Sequence, residues 1–323
     1  MTIIAWVIFL LIIGALLALD LGVINKTQHE YTTLEALKMT ALWIGCALLF
    51  GGLVVVAYSF DWFQLRTNSA DSYIVTGYDA GLQYLTGYLI EKALSMDNIF
   101  VMAMLFSYFR IPAKYQHEVL FWGILGALVF RGVMIILGAA LVNKFSWVMY
   151  IFGVLLVYSA IKMMFGKDDE FDAEKSVVVK IIRKVYPVSP TLDEGHFFTH
   201  FQGVKAVTPL MVVLLVIEST DVLFAVDSIP AVFSVTTDSF IVFTSNIFAI
   251  LGLRSLYFVL ISVLNKFQYI KYSLFVLLLF IGAKMLLMDF VHISIGISLA
   301  AIVLILGVGV VVSVIFQQKT DEQ

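Results

Sequence analysis

The chain has 323 residues, of which 61% are hydrophobic and only 13% charged, and its mean hydropathy is +1.00. Soluble domains are nearer half apolar and a quarter charged, so this composition excludes a water-soluble fold. The formal net charge of −3 argues against a basic nucleic-acid-binding protein, and the single cysteine, Cys46, excludes a disulfide framework and a multi-cysteine metal site. We therefore predict an all-α, polytopic integral membrane protein.

Apolar runs of about 18–20 residues are long enough to cross a bilayer as helices. The chain contains nine such runs, at residues 3–23, 37–58, 81–109, 119–142, 147–165, 208–233, 240–264, 269–288 and 293–316. No basic segment precedes the first run, which favours an uncleaved helix over a signal peptide. The third, sixth and seventh runs contain charged residues, so we expect interruptions or tilts there.

Lysine and arginine are concentrated in the odd-numbered connections, whereas the even-numbered ones hold only Arg66 and Lys144. Basic loops stay on the cytoplasmic side, so we predict an outside N-terminus and a cytoplasmic C-terminus. The predicted organisation is peripheral helices and an outer loop at 1–80, a first repeat at 81–165, a cytoplasmic loop at 166–207, a second repeat at 208–288, and a last helix with its tail at 289–323.

The 166–207 loop contains two further patterns. The segment SVVVKIIRKVYP interleaves apolar and basic residues, which is compatible with a helix on the membrane surface or with a solvated linker. His196 and His200 are four residues apart and would form a metal-binding pair on a helix. Two ligands are fewer than a zinc site needs, so a structural role is favoured for these histidines.

An internal repeat relates residues 143–165 to residues 265–287, with nine identities in 23 positions, including an NKF triplet and a KM pair in each copy. Similar composition alone is the alternative explanation. Each copy would contain three spans, an odd number, so the two copies would lie in opposite orientations. Inverted repeats of this kind are typical of secondary transporters, whose sites lie near the membrane midplane.

The match extends upstream to an acid and an arginine in each copy. Arg131 follows Asp97 by 34 residues, and Arg254 follows Asp221 by 33 residues. Because the two acids occupy equivalent, mid-span positions, we predict that Asp97 and Asp221 meet at the centre of the protein.

Eight charged side chains in the third, fourth, sixth and seventh spans, together with the amide Asn98, are the candidates for a function: Glu91, Lys92, Asp97, Asn98, Arg131, Glu218, Asp221, Asp227 and Arg254. A charge at this depth costs about 2.5–3.5 kcal/mol even on lenient scales, so each must pair, bind a ligand or be neutralised. Five carboxylates against three cations leave two negative charges. A divalent cation would neutralise them, and so would protonation of two acids.

The available ligands are hard oxygen donors, which suit Mg²⁺, Ca²⁺ and Mn²⁺. Besides the carboxylates they are the amides Asn98 and Asn246 and the hydroxyls Ser95, Ser219, Thr220 and Ser228. At about 100° per residue, Glu91 and Asn98 share one helix face, whereas Asp97 lies 120° from Glu91. We expect charge pairing from Arg131, Arg254 and Lys92, and metal binding from the acids.

Two long motifs at these residues, GYLIEKALSMDNIFVMAMLFSYF and ESTDVLFAVDSIPAVFSVTTDSFIVFTSNIFAILGLRSLYF, resemble the TerC family, and within it the Alx-type members. The resemblance implies a LysE-related protein of the bacterial cytoplasmic (inner) membrane that exports manganese(II). It also implies that Glu91, Asp97 and Asn98 form the first acidic motif, and that Glu218, Asp221 and Asp227 form the second.

We therefore predict a secondary transporter, not an enzyme, with Mn²⁺ as substrate, protons as the driving ion and no cofactor. Its partners would be the cation, protons and the lipid bilayer, and no nucleic acid; the oligomeric state stays open. The alternative is a non-transporting scaffold that helps membrane proteins fold or acquire metal. An intramembrane hydrolase is disfavoured because neither H-E-x-x-H nor G-x-S-x-G occurs.

Overall fold

The computed structural model describes residues 3–19, 32–66, 75–165, 176–262 and 270–320. These residues are largely helical. The helices are α1 Ile3–Leu19, α2 Thr33–Ser59, α3 Gly77–Tyr108, α4 Ala113–Lys144, α5 Val148–Phe165, α6 Val177–Val185, α7 Pro209–Phe233, α8 Ser239–Leu251, α9 Leu253–Ser262, α10 Ile270–Leu286 and α11 Ile295–Thr320. A two-stranded antiparallel sheet, β1 Phe198–Phe201 and β2 Val204–Val207, was not predicted.

Five helices in the described part of the chain are long and apolar enough to cross a membrane: α2, α4, α5, α7 and α11. α8 and α9 make a sixth if they are counted as one span bent by 44°. α1 and α10 are apolar but have 17 residues each, and α3 has 32 residues with charges in its middle. The chain is thus a multi-pass membrane protein, while the count of nine spans stays a prediction.

Of the three charged spans in which we expected interruptions or tilts, one is interrupted in the described part of the chain. α3 and α7 run unbroken through their acidic residues, and Pro230 lies in the last turn of α7. The seventh predicted span is interrupted between α8 and α9, at Gly252. An unwound segment that would turn Asp97 towards Glu91 is therefore absent from the described α3.

Capping fixes the register of α3. The Thr76 hydroxyl accepts from the Asp79 amide at 3.1 Å, and the Asp79 carboxylate accepts from the Thr76 amide, which forms a capping box. Because the helix continues without a break from this start, Glu91 and Asn98, seven residues apart, face the same side.

α5 and α10 share an extensive interface and run in opposite directions. Near the start of α5, Gly153 lies against Leu286 at the end of α10, and at the other end Phe165 contacts Phe275. A Cβ at Gly282 would lie 3.0 Å from the Gly153 carbonyl oxygen, so the backbones approach as small residues allow. This antiparallel pairing agrees with an inverted repeat, which itself stays a prediction.

The apolar core forms two clusters separated by a polar layer. The first cluster includes α1, α2, α8 and α10, and the second includes α6 and α9. Three helices pass from one cluster to the other, and the change falls between Ala93 and Ile99 of α3, Ala127 and Ile135 of α4, and Ile217 and Ala225 of α7. The polar layer therefore lies inside the bundle, at the middle of these helices.

The segment 176–207 consists of α6 and the β-hairpin. His200 lies in β1, and His196 lies outside any α-helix, with its Nδ1 atom 2.9 Å from the Asp193 carbonyl oxygen. The two histidines therefore do not share a helix, which was the condition for a metal-binding pair. The hairpin turns through Gln202 and Gly203, whose φ angles of 53° and 81° lie in the left-handed region that glycine favours.

Candidate cation site

The guanidinium of Arg131 lies at the centre of the polar layer and is 1% exposed. Its Nη2 and Nε atoms donate to Asp221 Oδ1 and Oδ2 at 2.7 and 3.1 Å, and Nη1 forms an ion pair with the Glu91 carboxylate. Two parallel bonds to one carboxylate are the geometry for which the planar guanidinium is suited. Arg131 of α4 thereby joins α3 to α7, which belong to the two halves of the proposed repeat.

Neutral polar side chains complete this arrangement. Asn98 Nδ2 donates to Asp221 Oδ1 at 3.0 Å, and Ser95 Oγ donates to Glu91 Oε1 at 3.2 Å. Arg131 Nη1 also donates to Ser228 Oγ at 3.2 Å and to Asn246 Oδ1 at 3.3 Å. We call this set the Arg131 cluster: Glu91, Ser95, Asn98, Arg131, Asp221, Ser228 and Asn246.

Several buried polar atoms in this region have no hydrogen-bond partner among the described residues. They are Glu91 Oε2, Asn98 Oδ1, Glu218 Oε2 and Asn246 Nδ2. Native proteins leave few such atoms unpaired because each costs free energy, so these atoms mark a place that can bind a ligand or water. Three of the four are oxygens that can only accept or coordinate.

Glu218 adds a third carboxylate beside the cluster. It lies three residues before Asp221 on α7, close enough for the two negative charges to repel. Its carboxylate packs against Gly126 of α4, and a Cβ at that position would overlap it. Three carboxylates against one guanidinium leave two negative charges when all four groups are ionised.

Asp97 and Asp227 lie outside these contacts. Asp97 interacts electrostatically with Lys271 at the start of α10, and Asp227 accepts a 2.7 Å hydrogen bond from Ser159 Oγ near Lys162 of α5. No hydrogen bond within the described residues joins either acid to the Arg131 cluster. The meeting of Asp97 with Asp221 that we predicted is therefore not among the contacts; Asp221 instead meets Asn98 and Arg131.

The other two predicted cations lie on α3 and α9, and Lys92 interacts electrostatically with the neighbouring Glu91. Lys92 Nζ donates to the Ala249 carbonyl oxygen at 3.1 Å, in the last turn of α8, where a cation favourably meets the free carbonyls of a helix end. Arg254 is buried in α9, two residues after Gly252. Lys92 therefore supports the break between α8 and α9.

The sequence analysis named both amides of the Arg131 cluster, Asn98 and Asn246, and both of its hydroxyls, Ser95 and Ser228. It did not name Gly126 or Ser159. The hydroxyls of Ser219 and Thr220 instead bond the backbone of their own helix, at 2.7 and 2.8 Å. A glycine within a membrane helix is a signal for close packing, and it could have indicated Gly126. In the described part of the chain, no three His, Cys, Asp or Glu side chains converge as a metal site.

A multi-pass helical bundle with a buried polar layer defines the protein as an integral membrane protein. Comparison of its sequence with known families identifies the family. The model of the integral membrane protein TerC family matches residues 76–321, and the chain belongs to that family. This confirms the resemblance seen in the acidic motifs.

Relatives match over nearly the whole chain. An "Uncharacterized membrane protein STKORF319" of Myxococcus xanthus is 46% identical over 96% of this chain and 92% of its own. The "Putative membrane-bound redox modulator Alx" of Escherichia coli K12 is 41% identical over 98% of this chain and 96% of its own. An uncharacterized membrane protein of Rickettsia bellii is 42% identical over 99% and 100%. No solved structure matches the chain.

Proposed function

We propose that the protein is a secondary transporter that exports Mn²⁺ across the bacterial inner membrane in exchange for protons. One observation carries the proposal: the Arg131 cluster and Glu218 together have two excess negative charges and several oxygen ligands, and they lie between the two apolar clusters of the bundle. The identity of the metal and the direction of transport rest on the resemblance to manganese exporters.

The charge balance supports a doubly positive substrate. Each uncompensated charge at mid-bilayer costs about 2.5–3.5 kcal/mol, so the two excess charges favour a divalent cation or two protons. The unpartnered oxygens of Glu91, Asn98 and Glu218 supply hard ligands. Cation and protons would compete for the same carboxylates, because metal binding requires deprotonated ligands. Exchange of one for the other follows from this competition.

Arg131 has a defined part in this proposal. It occupies the place between Glu91 and Asp221 that a cation would take, and its charge cannot be removed by deprotonation. When no cation is bound, the charge of Arg131 thus takes the place of the cation and limits the repulsion between the Glu91 and Asp221 carboxylates. Cation binding would require the guanidinium to break at least one of its bonds to the Glu91 or Asp221 carboxylate.

Asp97 and Asp227 stay in the proposal as ligands on the two sides of the cluster. On α3, Asp97 is two residues from Ile99, where the second apolar cluster begins. On α7, Asp227 is two residues beyond Ala225, where the first apolar cluster begins. An ion that crosses the polar layer would therefore pass one of these acids on each side.

The decisive test is transport by purified protein in liposomes, with Mn²⁺, Mg²⁺ and Ca²⁺ compared. We expect Mn²⁺ uptake or release that Asp97→Asn and Asp221→Asn abolish. Asp289→Asn is the matched control, because this exposed carboxylate bonds Tyr150 outside the polar layer. Failure of the wild-type protein to move any metal would refute the transporter, and indifference to an imposed pH gradient would refute proton exchange.

A scaffold role is the second candidate, because a guanidinium buried between two acids is also what a purely structural ion pair would show. On that proposal, Asp97→Asn lowers protein abundance in the membrane and leaves cellular manganese unchanged. The transporter proposal predicts normal abundance with raised cellular manganese.

A further inference from the structure

We propose that α6 lies in the membrane interface and binds anionic lipid headgroups. The proposal does not depend on the transport function. It rests on the division of this short helix into three faces, only one of which is covered by protein.

The first face packs on the protein and the second does not. Val179 and Ile182 are 2% and 8% exposed and belong to the second apolar cluster, beside α7. Val177, Ile181 and Val185 follow one another at four-residue spacing and are 69%, 57% and 65% exposed. At about 100° per residue, the centres of these two apolar faces lie roughly 130° apart. One helix therefore presents a second apolar face that the described residues leave uncovered.

The third face is basic. Lys180 and Lys184, also four residues apart, are exposed and lie next to the uncovered apolar face, on the side away from the buried one. Arg110 and Lys114 are exposed in the turn from α3 to α4, at the same end of the bundle, and Asp193 is an exposed acid there. A positive face beside an apolar face complements a lipid surface that offers acyl chains below and negative headgroups above.

Backbone contacts hold α6 at the depth of a membrane surface. Two residues after α6, the Pro187 carbonyl accepts from the Val207 amide at 3.0 Å, and the Ser189 amide donates to the Val207 carbonyl at 2.8 Å. Val207 comes two residues before Pro209, the first residue of the spanning helix α7. The helix is therefore tied to the end of a membrane span, where acyl chains meet headgroups.

Spin labelling tests the position of α6, because Cys46 is the only cysteine and a Cys46→Ser background allows one label at a time. The full-length protein carries a nitroxide at Ile181→Cys or Lys184→Cys, in vesicles of phosphatidylcholine with phosphatidylglycerol. We expect the label at 181 to collide more with oxygen than with a water-soluble nickel chelate, and the label at 184 to show the reverse. Free access of nickel to position 181 would overturn the proposal, and so would shielding from both reagents, which would mean a protein partner.

Lipid retention tests the charge. The Lys180→Gln/Lys184→Gln protein is compared with Lys38→Gln/Lys144→Gln, which removes the same charge from exposed lysines outside α6 and the turn from α3 to α4. We expect the affinity of the protein for phosphatidylglycerol, measured by native mass spectrometry, to fall about five-fold for each lysine removed from α6. No loss in the α6 variant, or equal loss in both, would overturn the headgroup site.

Discussion

The first unit of the bundle, α3–α5, and the second, α7–α10, contain the same order of acid, arginine and lysine but use the arginine differently. In the first unit α4 is unbroken, and Arg131 reaches across to Asp221 of the second unit. In the second unit the corresponding span bends by 44° before Arg254. The guanidinium of the Arg131 cluster thus comes from the first unit.

The lysines behave in the opposite way. Asp97 of the first unit interacts with Lys271 on the last helix of the second, and Asp227 of the second lies near Lys162 on the last helix of the first. This crossed arrangement is common to both units. Each flank of the site thus places an acid of one unit near a lysine on the last helix of the other unit, whereas the guanidinium of Arg131 lies at the centre.

The largest expected effect comes from Arg131→Gln, which removes that guanidinium and leaves two buried carboxylates without a counter-ion. Such a loss costs about 3–5 kcal/mol of unfolding free energy. Denaturant unfolding in detergent measures it. Because a divalent cation can take the vacated place, we expect saturating Mn²⁺ to stabilise Arg131→Gln more than the wild type.

Arg254→Gln is the control for that comparison, since it removes the arginine of the second unit. We expect Mn²⁺ to stabilise this variant no more than the wild type. An equal response of the two variants would mean that the units are equivalent and that Arg131 is not a substitute for the cation.

The second prediction concerns the contact between the Glu218 carboxylate and Gly126. Gly126→Ala places a methyl group where the carboxylate lies, and insertions of this kind cost about 1–3 kcal/mol. We expect Mn²⁺ affinity to fall about tenfold, equivalent to roughly 1.4 kcal/mol. Gly123→Ala on the same helix is the matched control, because its Cβ would lie 3.5 Å from Ile217, an ordinary contact. Equal affinities of the two variants would place Glu218 outside the site.

Helical spacing could predict much of this site from sequence. The angle of about 20° between Glu91 and Asn98 predicts a shared face, and both contact the same ion-pair network. The same arithmetic turns Asp97 away, and its contacts agree. The predicted meeting of Asp97 with Asp221 depended on symmetry instead of this angle, and it stays a prediction that no described hydrogen bond supports.

The rest depends on packing between elements distant in sequence. Nothing local marks Arg131 rather than Arg254 as the central cation, because both are preceded by an acid at almost the same distance. The break at Gly252 depends on Lys92 and Trp43, which lie more than 150 residues away in sequence and next to the glycine in space. The hairpin after α6 was missed because its strands have only four residues each.

The third prediction concerns that break. Lys92→Met removes the donor to Ala249 and leaves the end of α8 with one carbonyl fewer satisfied, at a cost of about 1–2 kcal/mol. We expect faster amide hydrogen exchange in the last turn of α8, and Lys92→Arg to restore protection. If Lys92→Met instead changed Mn²⁺ affinity as strongly as Gly126→Ala, Lys92 would belong to the charge network of the site and not to the hinge.

The smallest effect is expected from Ser159→Ala, which removes the hydrogen bond to Asp227 at the flank of the site. The carboxylate is partly exposed and keeps Lys162 nearby, so we expect a loss of about 1 kcal/mol in denaturant unfolding. Ser219→Ala is the matched control, because its hydroxyl bonds only the backbone of its own helix in the described contacts.

Mn²⁺ affinity of Ser159→Ala separates the flank from the centre. If Asp227 acts only along the path of the ion, the affinity of the Arg131 cluster stays at the wild-type value while the transport rate falls. A tenfold loss of affinity, as expected for Gly126→Ala, would place Asp227 among the ligands of the resting site. The second unit would then supply three of the site's acids, and the asymmetry between the units would extend from the arginines to the carboxylates.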